Sequence, residues 1–393
     1  MTNLTIEQIP LGDRRLREFV RMPWRLYRGD PNWTPPLDSD YLGSKLLGTV
    51  GLLTPQHPYH KDAEVTHFLA RRDGEPVGRV SAAINRRFNE HYHSKIGFFG
   101  FFETIEDFAV AQMLLDAARD WIKARGMEVM RGPGEYSNAT HERQGVLIDG
   151  FDTPPTLECT HNPPFYDDYL QRYGLHKAMD YHAYKIDTKD YQDERVERIA
   201  AKLAERRGIT TRQVNLKDLR NEIGILIDIY NQAWSRNWGF LPITSEEADL
   251  IAANVGMVLI SDLLRFAYVK GEPAAVLATI PDIYVPLRPR WRWPLDTEPV
   301  RLARAFLQRR HIPRLRVWFF GILPQFRGMG IDALLFREVQ EYALTHGYEM
   351  FEPSLLLETN EAILRISEAM GGERYKTWRI YDIILDEDST TET

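Results

Sequence analysis

The chain has 393 residues, of which 44% are hydrophobic and 27% are charged, and its formal net charge is −7. This length and composition are typical of a globular protein with one large domain or two ordinary ones, and the negative charge disfavours a protein built around nucleic acid. The single cysteine, Cys159, excludes an intrachain disulfide framework and a zinc site made from several cysteines.

The first half of the chain begins with a proline-rich segment, residues 22–36, which predicts an irregular arm. The runs that follow predict a hairpin, a buried strand, an amphipathic helix, a loop, a strand, a short helix and a last strand. In that order they are residues 64–72 with 77–85, 96–102, 107–125, 132–142, 145–148, 165–173 and 181–186. The polar run 187–193 is expected to be a linker.

The second half shows a similar succession of patterns. It predicts a helix, a hairpin, an apolar strand, a helix, a strand, a helix and a final strand. These are residues 219–235, 264–269 with 274–280, 317–323, 331–346, 350–358, 360–370 and 375–385. We therefore interpret the chain as two copies of one mixed α/β unit, with domains at residues 1–188 and 189–393.

The strand at 317–323 runs through Pro324 into a glycine-rich turn, Gln325-Phe326-Arg327-Gly328-Met329-Gly330, and then into an amphipathic helix. The first turn of a helix has unpaired backbone amides and the positive end of the helix dipole, which together attract anions. The two glycines let the backbone approach a phosphate, and Arg327 can add a charge-assisted hydrogen bond. This junction predicts an anion-binding site.

The spacing of Gln325, Gly328 and Gly330 resembles the Gln/Arg-x-x-Gly-x-Gly/Ala signature of the GNAT acetyltransferase superfamily, and the resemblance extends over roughly residues 219–385. It implies an α/β (α+β) mixed-sheet fold that binds acyl-CoA at this turn, with an asparagine downstream helping to hold it. The residues that it implies for acyl-CoA binding are Ile322, Leu323, Gln325, Phe326, Arg327, Gly328, Met329, Gly330, Ile331 and Asn360.

The first half lacks this turn. Its apolar strand is followed by Thr104-Ile105-Glu106-Asp107, with no glycine, and three acids lie in the region 103–107. Acidic side chains there would repel a diphosphate. One acyl-CoA site is therefore expected, in the second half, and the first half is expected to be degenerate.

Segments along most of the chain resemble a bacterial family with two fused GNAT-like halves, the bacterial ceramide synthase family. They are residues 22–36, 97–103, 150–155, 162–166, 230–234 and 237–240. The resemblance implies transfer of a long-chain acyl group from acyl-CoA to the amine of a sphingoid base. Two alternatives stay open, namely acylation of a small soluble amine or amino acid, and a non-catalytic acyl-CoA-binding protein.

The proton-transfer residues are left open by the sequence. Many members of the superfamily place a proton-donating tyrosine seven residues after the asparagine, but Ser367 stands there in this chain. Candidates for acid and base are His141, Glu142, Glu352, Glu358, Ser367, Tyr375 and Tyr381. Pro353 cannot donate a ladder hydrogen bond, so it suits either the splayed strands of the GNAT fold or an ordinary bulge.

Polar and aromatic residues elsewhere are candidates for contact with the acceptor, with core packing as the alternative for the aromatic ones. They are Asn138, Tyr166, Trp234, Trp238 and Phe240. No metal site is predicted, because His91 and His93 have no third ligand nearby.

A basic segment, residues 286–316, carries nine arginines against Asp296 and Glu298, and Trp291 and Trp293 alternate with arginines. Arginine beside tryptophan favours an anionic membrane surface, while a solvated loop or a contact with acyl-CoA phosphates would explain the charge equally well. The N-terminal residues contain no apolar leader, and no run approaches the roughly 20 apolar residues of a membrane span. We therefore expect a cytoplasmic protein, peripheral to the membrane if it meets one.

Overall fold

The computed structural model describes residues 3–136, 143–190, 202, 205–255, 259–289 and 296–385. The chain forms two compact units. The first unit contains the described residues up to Tyr181 together with those from Lys376 onward, and the second unit is His182–Tyr375.

The elements up to the end of the seventh strand are mostly in the first unit. They are β1 (Leu4–Pro10), α1 (Leu16–Arg21), α2 (Pro23–Leu26), α3 (Asp38–Leu42), β2 (Ala63–Arg72), β3 (Glu75–Asn85), α4 (Arg86–Tyr92), β4 (Ile96–Thr104), α5 (Phe108–Lys123), β5 (Val129–Gly134), β6 (Val146–Asp149), α6 (Phe165–Arg172) and β7 (His176–Asp187).

The later elements are mostly in the second unit. They are β8 (Ile209–Gln213), α7 (Leu219–Ala233), α8 (Ser245–Val255), β9 (Leu264–Val269), β10 (Glu272–Pro281), α9 (Tyr284–Leu287), α10 (Glu298–Gln308), β11 (Arg314–Ile322), α11 (Ile331–Thr345), β12 (Met350–Pro353), β13 (Leu356–Leu357), α12 (Glu361–Ala369) and β14 (Glu373–Ile384).

The two units repeat one topology, as the sequence predicts. In the first, β2, β3 and β4 are antiparallel neighbours, and β4 is parallel to β5 across helix α5. In the second, β9, β10 and β11 are antiparallel neighbours, and β11 is parallel to β12 across helix α11. Each crossover helix buries an apolar stripe, from Val110 to Ile122 in α5 and from Ile331 to Ala343 in α11, as expected for helices that cover a mixed sheet.

Each unit is completed by a strand that arrives from the other part of the chain. β7 follows the elements of the first unit, but its end pairs with β12, where Ile186 lies opposite Phe351. β14 follows the elements of the second unit, but it pairs with β5, where Tyr381 lies opposite Gly132. A single boundary at 188/189 does not describe this exchange of β7 and β14, because no local sequence pattern encodes it.

Several local predictions were wrong. The proline-rich arm contains the short helix α2, because a proline at the first helical position, here Pro23, loses no intrahelical hydrogen bond. The loop predicted from residue 132 begins inside β5. The expected linker starts in β7, and the amide of Thr188 donates to Glu349 O at 3.0 Å. Among the described residues, no helix combines the length and apolarity of a membrane-spanning segment.

Candidate active site

The parallel strands β11 and β12 separate part of the way along their length. Their pairing runs from Arg314 opposite Met350 to Val317 opposite Pro353 and ends there. β11 continues to Ile322, and within the described residues this last part pairs with β10 only. Pro353 has no amide hydrogen with which to extend the ladder, so a gap opens beside the second half of β11.

Backbone groups of β11 line this gap. The amide of Leu323 donates to Ala274 O at 2.9 Å, which fixes the side of β11 on which each peptide group lies. Because these directions alternate along an antiparallel strand, the amides and carbonyls of Phe320 and Ile322 point away from β10. They therefore face the gap.

The two carbonyls that face the gap are already hydrogen-bonded. Trp234 Nε1 donates to Phe320 O at 2.9 Å, and Arg327 Nε donates to Ile322 O at 3.3 Å. Arg327 also donates to Ala233 O at 2.9 Å. Its guanidinium thus holds the turn against α7, and the neighbouring amides of Phe320 and Ile322 are the donors that the strand offers to a ligand.

The glycine-rich turn leads from the gap into the open end of α11. Gly328 and Gly330 have φ of +70° and +79°, which favours glycine. The described hydrogen bonds include none from the amides of residues 328–333, and the N-cap residue, Gly330, has no side chain to accept one. A Cβ added at Gly328 would meet nothing within 4 Å, so there is space beside this amide cluster. The arrangement fits a bound diphosphate.

The corresponding place in the first unit is closed. Gly100 lies opposite Gly134, and a Cβ on Gly100 would lie 2.3 Å from the carbonyl oxygens of Gly134 and Glu135. At the start of α5, the carboxylate of Asp107 accepts the amide of Ala109 at 2.9 Å and pairs with Arg72. The strands do not part, and the helix supplies its own anion. This is the arrangement expected of a degenerate unit, which stays a prediction.

Two of the proposed proton-transfer residues meet beside the gap. Glu352 lies on β12 directly before Pro353 and is fully buried, and the Tyr375 hydroxyl donates to its Oε2. Arg314 lies near both. Burial lowers the pKa of Arg314, but the charges of Asp282, Glu352 and Tyr375 outweigh burial and raise it overall. A permanent cation therefore lies beside the Glu352–Tyr375 pair.

The pairing of Arg314 with Asp282 was not predicted from the sequence. The two residues are far apart in the chain, and no motif spacing joins them. The only local signal was the cluster of arginines in the segment 286–316.

The other candidates for acid and base lie in different surroundings. Glu358 is half-buried in the turn after β13. Ser367 is buried, and its hydroxyl donates to Ile363 O of its own helix at 2.9 Å. Tyr381 belongs to the first unit, where its hydroxyl donates to Asp167. His141 and Glu142 lie outside the described residues.

Asn360 stands just before helix α12. Its amide donates to Leu357 O at 3.0 Å, and its carbonyl accepts from Leu364, so its backbone starts the helix. Its side chain is half-exposed and makes no hydrogen bond within the described part of the chain. An amide side chain in this position is available to a ligand.

The candidates for acceptor contact divide between the units. Trp234 and Phe240 pack on Tyr230 with ring centroids 4.8 and 5.5 Å away, and Trp238 is half-buried. Core packing explains Phe240, whereas Trp234 also reaches the edge of β11. Tyr166 is buried in the first unit, where its hydroxyl donates to Glu103 at 2.9 Å. Asn138 falls in a stretch that the structure does not describe.

Part of the charge of the basic segment is buried. Arg301, Arg304 and Arg316 are buried, and Arg304 donates to Pro286 O at 2.6 Å and pairs with Asp296. The surface of α10 is instead apolar, with Phe306 52% and Leu307 75% exposed. Arg309 covers the Phe306 ring at 3.9 Å, and Arg310 is exposed. Residues 290–295, which include both tryptophans, are among those that the structure leaves undescribed.

In the described ranges, no three histidine, cysteine, aspartate or glutamate side chains cluster as a metal would require.

Comparison with solved structures identifies the fold. The chain matches a tandem GNAT protein from the clavulanic acid biosynthesis pathway with a TM-score of 0.56 and 13% identity, over 98% of this chain and 100% of that one. It also matches the GCN5-related glucosamine N-acetyltransferase region of a fungal multi-domain GH3 β-N-acetylglucosaminidase, with a TM-score of 0.56 and 14% identity, over 98% of this chain and 38% of that one. The fold is therefore of the GNAT type.

Comparison of sequences identifies the family, although no family model matches the chain. The chain is 27% identical to protein YghO of Escherichia coli (strain K12), over 95% of this chain and 93% of that protein. It is 32% identical to the bacterial ceramide synthase of Caulobacter vibrioides (strain NA1000 / CB15N), over 98% of this chain and 99% of that protein. The chain therefore belongs to the bacterial ceramide synthase family and is an N-acyltransferase with the GNAT fold.

Proposed function

We propose that the second unit binds a long-chain acyl-CoA and transfers its acyl group to the amino group of a sphingoid base. The observation that carries the proposal is that, among the described residues, the second unit combines parted strands with a helix start whose amides have no acceptor, whereas the first unit does not. The diphosphate would lie on the amides of residues 328–333, with Gln325 and Asn360 beside it. The thioester would then lie along the second half of β11.

The geometry suggests how the chain would assist the reaction. The amides of Phe320 and Ile322 are placed to donate to the thioester oxygen, where negative charge grows as the amine attacks. The new C–N bond forms as the C–S bond breaks, the amine loses a proton and the departing thiolate gains one. We assign these proton transfers to Glu352 and Tyr375 as a pair, because they are hydrogen-bonded to each other beside the gap.

Direct transfer from thioester to amine is preferred over an acyl-enzyme. Cys159, the single thiol of the sequence, belongs to the first unit, is buried, and lies against Thr156 at 3.8 Å. Substitution of Cys159 by serine should leave the rate unchanged.

A membrane surface is a further proposed partner, and α10 is the element that would meet it. Phe306 and Leu307 are exposed and lie beside Arg309 and Arg310. An apolar pair next to basic side chains suits the boundary of an anionic bilayer. A lipid acceptor would be drawn from that surface.

The function is tested by incubating the purified protein with a sphingoid base and acyl-CoAs of several chain lengths, and by measuring free thiol and amide product together. We expect equal amounts of thiol and N-acyl sphingoid base, with long chains preferred. Amide formed only on small soluble amines from short-chain acyl-CoA would overturn the lipid substrate. Acyl-CoA binding without thiol release from any amine would identify a binding protein instead.

A further inference from the structure

The first unit contains a small pocket, lined by charged, polar and apolar residues, that the acyl-transfer chemistry does not use. Its volume is about 80 Å³, and all of its lining residues belong to the first unit. This is room for roughly five water molecules, so a head group fits but a whole lipid does not. The acids, arginines and histidine of its wall are Arg79, Glu103, Glu135, Arg143 and His161.

Glu103 supplies a poorly compensated negative charge. Its Oε2 accepts the hydroxyls of Tyr27 at 2.7 Å and Tyr166 at 2.9 Å. The nearest cation, Arg79, is 3.7 Å from Oε1 and donates to Phe19 O at 2.7 Å instead. Burial raises the pKa of Glu103, and Arg79 and the two tyrosines offset burial only in part. A second cation in the pocket would stabilise the carboxylate.

The other acid of the wall already has a close partner. Arg143 Nη1 lies 2.7 Å from Glu135 Oε1 and 2.6 Å from the Tyr41 hydroxyl. This pair adds no net charge, so Arg143 is not available to compensate Glu103. Glu103 is therefore the acid of the wall that lacks a close cation, and it disfavours an anionic ligand.

His161 has a ring nitrogen, Nδ1, that lacks a hydrogen-bond partner among the described residues. Its side chain is 6% exposed, and Nε2 lies 2.9 Å from Asp30 Oδ2. Nδ1 is buried and has no hydrogen-bond partner among the described residues. Burial lowers the pKa of His161, and Asp30 offsets this only in part, so the ring is neutral. A neutral ring that donates from Nε2 to Asp30 presents Nδ1 as an acceptor, and it requires an O–H or N–H donor.

We propose that this pocket binds the head group of an amino alcohol, with its ammonium beside Glu103 and a hydroxyl donating to His161 Nδ1. A three-carbon amino diol has roughly six non-hydrogen atoms, which matches the space. Two sources share this chemistry, a free small amino alcohol and the head of a long-chain one. The inference does not depend on where acyl-CoA binds.

The test uses the full chain and measures binding by calorimetry. The probes are 2-amino-1,3-propanediol, a short-chain sphingoid analogue, n-propylamine and 1,3-propanediol. The amino diol should bind at least about tenfold more tightly than the probes that lack one of its two groups, since each missing group leaves a buried partner without its hydrogen bond. If 2-amino-1,3-propanediol binds and the sphingoid analogue does not, the ligand is a free amino alcohol. If only the sphingoid analogue binds, the ligand is the head group of a lipid.

Variants connect binding to the pocket. His161→Phe should weaken binding of the amino diol and leave binding of n-propylamine unchanged. Glu103→Gln should weaken binding of both amines and leave binding of 1,3-propanediol unchanged. His176→Phe and Glu128→Gln, both at exposed positions, are the matched controls. If a variant does not fold, the ¹⁵N signal of His161 Nδ1 in the wild type gives the same answer, because the amino diol should shift it and n-propylamine should not. The proposal is overturned if neither amino alcohol binds. It is also overturned if both variants bind the amino diol as tightly as the wild type and the His161 Nδ1 signal does not shift.

Discussion

At the scale of single residues, the Glu352–Tyr375 pair carries the proposed proton transfers. The carboxylate is fully buried, next to the proline at which the strands part, and it accepts a hydrogen bond from the Tyr375 hydroxyl. Arg314 keeps a positive charge near the pair. A carboxylate and a phenol are groups that can accept and donate the protons of this reaction.

Tyr375→Phe should lower kcat by about 10²–10⁴-fold and leave the affinity for acyl-CoA almost unchanged, because the ring stays and only the transferred proton is lost. The measurement is steady-state thiol release with acyl-CoA affinity determined separately. Tyr184→Phe is the matched control, because Tyr184 also donates to a glutamate of the second unit, Glu368, at 3.3 Å. An unchanged kcat in Tyr375→Phe would remove the pair from the mechanism.

At the scale of elements, α5 and α11 occupy equivalent places but differ at their first residues. Asp107 caps α5 with a carboxylate, whereas Gly330 precedes α11 and leaves the amides open. The same fold thus provides its own control for anion binding at a helix start.

Gly330→Asp should reproduce the aspartate cap of α5 at the start of α11. It should weaken the binding of acyl-CoA by about tenfold or more, because the new carboxylate competes for the amides and repels the diphosphate. Gly330→Ala places a side chain on the same left-handed backbone without the charge, and it should weaken binding far less. Calorimetry with CoA separates the two. Equal losses in both variants would mean that backbone strain, and not the anion site, controls affinity.

Helix α10 is the second element with a testable surface. A double variant, Phe306→Ser with Leu307→Ser, should reduce binding to anionic vesicles, because it removes the exposed apolar pair and leaves Arg309 and Arg310 in place. Ile384→Ser alters a side chain that is 72% exposed in β14 and serves as the control. Vesicle flotation is the readout. Equal flotation of the double variant and the wild type would exclude α10 as the contact, and equal flotation on neutral vesicles would exclude the electrostatic part.

At the scale of the whole molecule, the sequence predicted what is encoded locally. The repeated order of strands and helices follows from side-chain periodicity. The glycine-rich turn is recognised from two glycines within its six residues. Contacts between distant residues carry no such signal. The Glu352–Tyr375 pair, the buried arginines of α10 and the exchange of β7 and β14 all depend on tertiary packing, so the sequence identified candidates without assembling them.

The exchange of strands predicts which unit is destabilised by a substitution in the C-terminal strand, β14. Trp378 lies in β14, is fully buried, and donates Nε1 to Thr160 O at 2.9 Å. Trp378→Ala should lower the free energy of unfolding by about 3–5 kcal/mol, because it leaves a large cavity. The loss should appear as faster amide exchange in β5 and β6 of the first unit, which lie beside this part of β14.

Two comparisons make this prediction strict. Ile384→Ala, at the exposed end of the same strand, should change stability by no more than about 0.5 kcal/mol. In Trp378→Ala, amide exchange in β10 and β11 should rise less than in β5 and β6, since those strands belong to the second unit. Exchange that rises first in β10 and β11 would mean that β14 stabilises the unit that precedes it in the chain, and the division of the molecule into two units with exchanged strands would be wrong.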